Sequence, residues 1–213
     1  MKNTKKLLVL STLCLIIFAV AAFFLRHLLF GGVAGTYEQA AADRSKYNDM
    51  WVSCDVVACL GKYAEKKEST NFIPTGHSYY YLIWMKDGSF MPMAVSKKED
   101  REYLDKLTDA TYDYMDKKTT DIAVEPRTFI GTVKSQEAKA KVYYDEALIK
   151  MNIKGNTSHT IYYELMDASN SRTHYLLLVG AVMLIPVFGY VSAFISIAKA
   201  KKKPKEEETF LPK

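Results

Sequence analysis

The chain has 213 residues and a mass of 24.2 kDa; it is 49% hydrophobic, 25% charged, carries three cysteines and has a formal net charge of +5. It is too apolar and too aromatic for a disordered protein, too short for more than one sizeable domain, and too poor in cysteine for a disulfide scaffold. The basic excess invites a nucleic-acid role, but it lies at the two ends: residues 1–30 contribute +4, residues 199–213 contribute +3, and residues 31–174 carry −2. The segment large enough to fold is slightly acidic, so nucleic-acid binding loses its support.

The first element is an uncharged run of 19 residues, Leu7–Leu25. As a helix rising about 1.5 Å per residue it would cover roughly 28 Å, close to the hydrocarbon thickness of a bilayer. A cleaved signal peptide fits less well. A site after Ala21 would leave the apolar terminus FFLRHLLF, and one after Ala34 requires an apolar region beyond the usual length. A lipoprotein cysteine at Cys14 is disfavoured by Leu13 before it. Residues 7–30 are therefore read as an uncleaved signal anchor. A second uncharged run, Tyr175–Ala198, has 24 residues and contains Gly180, Pro186 and Gly189, tolerated in such helices, with a kink expected at Pro186. Lys2, Lys5 and Lys6 precede the first run. Lys199, Lys201, Lys202, Lys203 and Lys205 follow the second, whereas Arg44 and Arg172 are the basic residues near the spans on the other side. That asymmetry predicts a multi-pass protein of the cell membrane with residues 1–6 and 199–213 cytoplasmic and residues 31–174 outside.

Between the spans, Gly31–Gly35 reads as a flexible exit and residues 37–48 as a short helix. Trp51–Leu60 reads as a strand and Lys62–Gly76 as mostly loop. SYYYLIWM and FMPMAV flank Asp87-Gly88, which predicts a type I′ hairpin. The first of these strands is apolar on both faces, and Pro92 suggests an edge in the second. Ser96-x-x-Glu99 has the form of a capping box opening a helix to about Lys117, with Leu104, Leu107, Thr111, Tyr114 and Met115 on its apolar stripe. Residues 127–134 read as a strand. A helix capped by Ser135 follows, with Ala140, Tyr144, Ala147, Leu148 and Met151 inward, and then a strand over Thr160–Leu165. The fold class expected is an α+β domain, its mixed or antiparallel sheet covered on one face by two helices, carried between two transmembrane helices.

Candidate chemistry is sparse. Cys54 and Cys59 are read as buried small residues, with a disulfide and a reactive thiol left open; five residues apart they point to opposite faces of a regular strand. None of the four histidines makes a metal-ligand pattern, and no cofactor motif is present, so no cofactor is expected. His77, in a glycine-containing loop, is the best candidate base for a Cys/His enzyme. The acidic groups Glu99-Asp100, Asp113 with Asp116, and Asp145-Glu146 read as solvated helix faces. Asn156-Thr157-Ser158 is a glycosylation acceptor only in a eukaryotic secretory route.

Residues 31–174 hold 13 of the 15 tyrosines. These read first as packing residues and second as a binding surface formed by His77, Tyr79, Tyr80, Tyr81, Tyr162 and Tyr163. In the second span, Gly189 with Ala193 and Ser192 with Ser196 place small residues on adjoining ridges. They would suit close packing against the first span or another membrane chain, including a second copy. The functional expectation is a two-span membrane protein, in contact with lipid, whose outer domain binds a partner or ligand as an accessory part of an envelope complex; the alternative is a membrane-anchored Cys/His enzyme.

Overall fold

A computed structural model describes residues 2–70, 73–155, 158–169 and 172–202; the Asn156-Thr157 part of the acceptor and the tail from Lys203 onward lie outside them. Helices α1 (Lys2–Phe24) and α6 (Arg172–Lys202) contain the two apolar runs, and both are long and apolar enough to cross a membrane. They fall in one unit of the chain, and residues His27–Arg172 form the other.

In the helical unit most large apolar side chains stay exposed, among them Ile17, Phe24, Leu177 and Phe188. The buried positions Ser11, Pro186 and Ala193 follow one line along the pair. Thr12 Oγ1 and Tyr190 Oη share a hydrogen bond of 2.7 Å. A Cβ built on Gly189 would sit 2.1 Å from Ser11 Oγ and 3.3 Å from Ser11 Cβ. The small ridge of α6 thus packs on α1 of the same chain, and α6 continues through Pro186. Gly189→Ala can be absorbed by rotation of Ser11, whereas Gly189→Leu cannot. We expect Thr12→Cys and Tyr190→Cys, in a Cys14→Ser background, to be bridged by a short bis-thiosulfonate reagent in the parent and not in Gly189→Leu. Bridging of equal yield in both would mean that the glycine does not set the approach.

The second unit begins with α2 (Arg26–Phe30) and β1 (Val33–Thr36), so the glycine-rich exit is a strand, parallel to β2 (Trp51–Val56). Between them α3 (Tyr37–Ala42) is shorter than the helix expected. Gln39 Oε1 accepts from the Thr36 backbone N–H at 3.1 Å at its start. β3 (Ala58–Thr70) and β4 (Ile73–Trp84) form a long antiparallel hairpin, which corrects the loop expected over Lys62–Gly76. A run of lysines and glutamates is compatible with a strand when that strand is the sheet edge, and three register shifts along β3 break its regularity. β5 (Phe90–Val95) returns on β4, followed by α4 (Lys98–Met115), β6 (Arg127–Ser135), α5 (Ala138–Lys150) and β7 (Glu164–Asp167).

The sheet is mixed and seven-stranded, in the order β1-β2-β6-β7-β5-β4-β3. β2 and β3 are one run of chain interrupted only at Val57. Its first half pairs with β6 and its second with β4, so one run of chain supplies the strand next to one edge, β1, and the opposite edge itself, and the sheet must coil strongly. Its larger core holds Val52, Cys54, Tyr81, Ile83, Met91, Met93, Phe129 and Met166, with Tyr37 from α3 and Leu104 and Leu107 from α4. The opposite face carries Leu60, Leu82 and Phe90 against Tyr144 and Leu148 of α5. The two long helices therefore cover opposite faces rather than one. The alternating sets Tyr81/Ile83 and Tyr80/Leu82 of β4 are all buried and need cover on both sides.

Local details depart from the sequence expectations in instructive ways. In the 85–89 turn only Gly88 takes a positive φ (83°), and Gly88 N donates to Met85 O at 3.0 Å. The connection is thus a three-residue loop with a left-handed glycine rather than type I′. β5 is an interior strand despite Pro92. Phe90 N donates to Thr160 O, and Met93 and Ala94 pair with β7, so the missing Pro92 donor falls in the gap between these contacts. Neither expected serine cap is used: Ser96 Oγ donates to Ser169 O at 2.9 Å, and Ser135 receives the Arg44 guanidinium. The last strand starts at Glu164, leaving Ile161 as a single bridge to Phe90.

Candidate functional site

The residues singled out by sequence are dispersed or buried. Tyr80 and Tyr81 are 6% and 1% exposed, and Tyr81 Oη donates to Asp105 at 2.8 Å. Tyr79 is sandwiched below the Arg101 guanidinium, 4.3 Å from its ring centroid, and is stacked by His77. Tyr162 meets Tyr37 edge-on, and Tyr163 meets Tyr144 while its hydroxyl donates to Asp145. Of the six, His77 and Tyr163 are exposed, and the ring contacts formed by His77, Tyr79, Tyr162 and Tyr163 do not join them into one aromatic face.

Cys54 and Cys59 are free thiols, both buried. The break at Val57 reverses the strand alternation, which puts both in the same core instead of on opposite faces. Burial pushes the Cys54 thiol up to about 12, and the carboxylates of Glu38, Asp55 and Asp87 add to the shift; burial pushes Cys59 up to about 11. Such thiols hold their protons at neutral pH and are poor nucleophiles. Cys54 Sγ lies 3.6 Å from Met91 Sδ, and Cys59 N donates to Thr111 Oγ1. His77 instead pairs with Glu65 at 3.3 Å, and His159 packs edge-on against Phe90. Among the described residues no group of three or more His, Cys, Asp or Glu is arranged to hold a metal.

Of the acidic groups expected to be solvated, Asp113 and Asp116 share Lys118, and Asp145 pairs with Lys154 at 2.6 Å. Asp100 departs from that expectation: it is 5% exposed and bonds the Arg127 guanidinium at 2.8 Å, pinning α4 to β6.

The concave feature lies elsewhere, around the break at Val57. An open cleft of about 750 Å³ runs between the end of β2, the 85–89 turn and the 114–128 connection. Val57, Trp84, Met85, Ile122 and Val124 form an apolar wall, while Asp55, Asp121 and Tyr114 stand on its border. A second lobe of about 420 Å³ shares Asp55, Met85 and Lys86 with the first and adds Glu38 and Asp87, with Cys54 contributing to its lining. Asp55 is held by Thr128 Oγ1 at 2.6 Å. Ser89 donates to Asp87 Oδ1 from its hydroxyl at 2.5 Å and its backbone N–H at 3.0 Å, which holds that carboxyl below the usual carboxylate range and keeps it charged at neutral pH.

Apart from Cys54, none of these residues is singled out by sequence as a candidate for binding or catalysis. One signal was present: Asp55 is the lone charge within the apolar run Trp51–Leu60.

The family described as "Domain of unknown function (DUF8577)" matches residues 1–199. No curated protein and no solved structure matches the chain.

Proposed function

Since the chain belongs to the DUF8577 family, whose match takes in both apolar helices and the domain between them, we propose that it is a two-span protein of the cell membrane whose outer domain is a binding module. In this reading both termini are cytoplasmic and residues 31–174 face outward, serving a larger envelope complex. The observation that carries the binding role is the two-lobed cleft, an apolar wall bordered by carboxylates that form no ion pair among the described residues. Membrane placement is supported by the exposure of the apolar side chains of α1 and α6, which would be costly in water. The lysines beyond both spans support the orientation. With the small ridge of α6 occupied by α1, the remaining apolar faces of the pair are left for lipid or a second membrane chain.

Asp109 lies exposed on α4, away from the cleft. Asp109→Cys in a Cys14→Ser background should react with an impermeant maleimide in intact cells, the buried Cys54 and Cys59 staying silent; labelling only after lysis would reverse the orientation. A photo-crosslinking residue at Tyr114 should form discrete adducts in cells that the same residue at exposed Lys106 does not. Identical patterns from both positions would count against the cleft as the binding surface.

A further inference from the structure

We infer that the cleft accepts an extended peptide segment in which lysine or arginine alternates with apolar residues; this rests on the reading of the domain as a binding module. The charge of the cleft is one-sided. Glu38, Asp55, Asp87 and Asp121 line its two lobes, and Lys86, at their junction, is the single cation of the lining among the described residues. Several carboxylates elsewhere in the domain are matched: Asp100 with Arg127, Asp145 with Lys154, Glu164 with Arg44, Asp167 with Lys134. None of the four cleft carboxylates forms an ion pair among the described residues, so the lining carries a net negative charge that Lys86 offsets only in part. A guest bearing cations would complement that charge on entry.

The remaining lining narrows the class. Trp84 and Tyr114 can offer ring faces to an ammonium or guanidinium group beside the carboxylates. Val57, Met85, Ile122 and Val124 gain nothing from a purely polar cation and require an apolar group next to the charge. The two lobes run on through Asp55, Met85 and Lys86, which calls for a guest with charged and apolar groups repeating along its length rather than a single amine.

Two features, one of the backbone and one a side chain, favour a peptide as that guest. Val57 is the one residue between β2 and β3 that belongs to neither ladder, and it lines the cleft where the sheet opens. Lys86 is a donor suited to a peptide carbonyl. An extended peptide, whose side chains alternate in direction, can turn cations to the carboxylates and apolar groups to the wall.

The test uses the full chain in phosphatidylcholine nanodiscs, which offer no anionic lipid to a cationic probe. The probe is fluorescein-labelled acetyl-Lys-Val-Lys-Val-Lys-amide, read by anisotropy. We expect it to bind about tenfold more tightly than its Glu-for-Lys and Ser-for-Val counterparts. Binding should weaken with salt and fall by about tenfold in Asp55→Asn/Asp121→Asn, two exposed, near-isosteric changes, and not in Glu146→Gln on α5.

Equal binding by the double variant, or by the acidic or serine peptide, would overturn the inference. Competition by spermine as strong as that by the unlabelled peptide would make the cleft a polyamine site instead. If the probe fails to bind while adducts still form specifically at Tyr114, the ligand class is wrong and the binding module stands. If both fail, the module reading falls with it.

Discussion

Replacing Gly131 by alanine is expected to destabilise the domain by about 2–3 kcal/mol, close to 10 °C in Tm for a unit of this size. The reason lies in how β6 serves two neighbours. Residues Arg127–Gly131 pair with β2, and Thr132–Ser135 pair with β7. Gly131 is the last residue before the switch, where the chain of β7 passes directly over it. A Cβ there would lie 2.6 Å from the Asp167 carbonyl oxygen, 2.9 Å from its carbon and 3.1 Å from the Ala168 nitrogen. All three are backbone atoms, so no side-chain rotation relieves the clash. Either β6 or β7 must move, and β7 is short and already tied to both β5 and β6. Gly32→Ala is the matched control, because nothing lies within 4 Å of a Cβ at that position; it should be neutral or slightly stabilising. Thermal unfolding of the full chain in neutral detergent, followed by near-UV circular dichroism, measures both. A Gly131→Ala protein melting within about 2 °C of the parent would show that the strands do not approach as described.

That glycine illustrates what sequence could and could not provide. RTFIGTVK reads as a strand from its β-branched and aromatic residues alone, and a glycine inside it signals close backbone approach. Which backbone approaches depends on a strand more than thirty residues away. The same limit applies to β5: Pro92 removes a donor wherever it stands, but whether that makes an edge depends on where the neighbouring ladder happens to have a gap. Local chemistry served better. The Asp87-Gly88 pair places the hairpin, and the apolar stripe of residues 104–115 places α4. The two-faced apolarity of β4 already demanded cover on both sides, which an expectation of helices on a single face did not honour.

Sequence reads both cysteines rightly as buried but sets them on opposite faces, for a definable reason. Alternation was assumed to run unbroken from residue 54 to 59, whereas Val57 interrupts it and a register shift follows between Cys59 and Gly61. The cleft was missed because its parts come from β2, the 85–89 turn and the 114–128 connection, and only Asp55 was anomalous in its own segment. A charge inside an apolar strand has to leave the core, and at the point where it does so the strand also changes partners.

Raising the pH should unfold the domain cooperatively near pH 11, and this is the largest effect expected from solution conditions. Burial raises the thiols of Cys54 and Cys59 to about 12 and about 11 from an ordinary value near 9. It also raises the phenols of Tyr37, Tyr63 and Tyr144 far above their ordinary value near 10. All five are acids that keep their protons in the folded chain at pH values where the unfolded chain has lost them. Their contribution is therefore complete below about pH 9 for the thiols and pH 10 for the phenols, and is lost as pH rises past those points. Each group held protonated costs up to about 1.4 kcal/mol per pH unit. By pH 11 the combined loss is on the order of 8–10 kcal/mol, comparable to the whole stability of a typical domain. Near-UV dichroism of Trp51 and Trp84, both in the domain, should collapse in the same step in which the buried phenols appear as phenolate absorbance. Tyr144 gives the discriminating variant. Its hydroxyl is buried with no hydrogen-bond partner among the described residues, so Tyr144→Phe should cost little at neutral pH and move the alkaline midpoint upward. An unchanged midpoint in Tyr144→Phe, or a fold that survives to pH 12 with its tyrosines fully ionised, would mean that these groups are not buried as the structure places them.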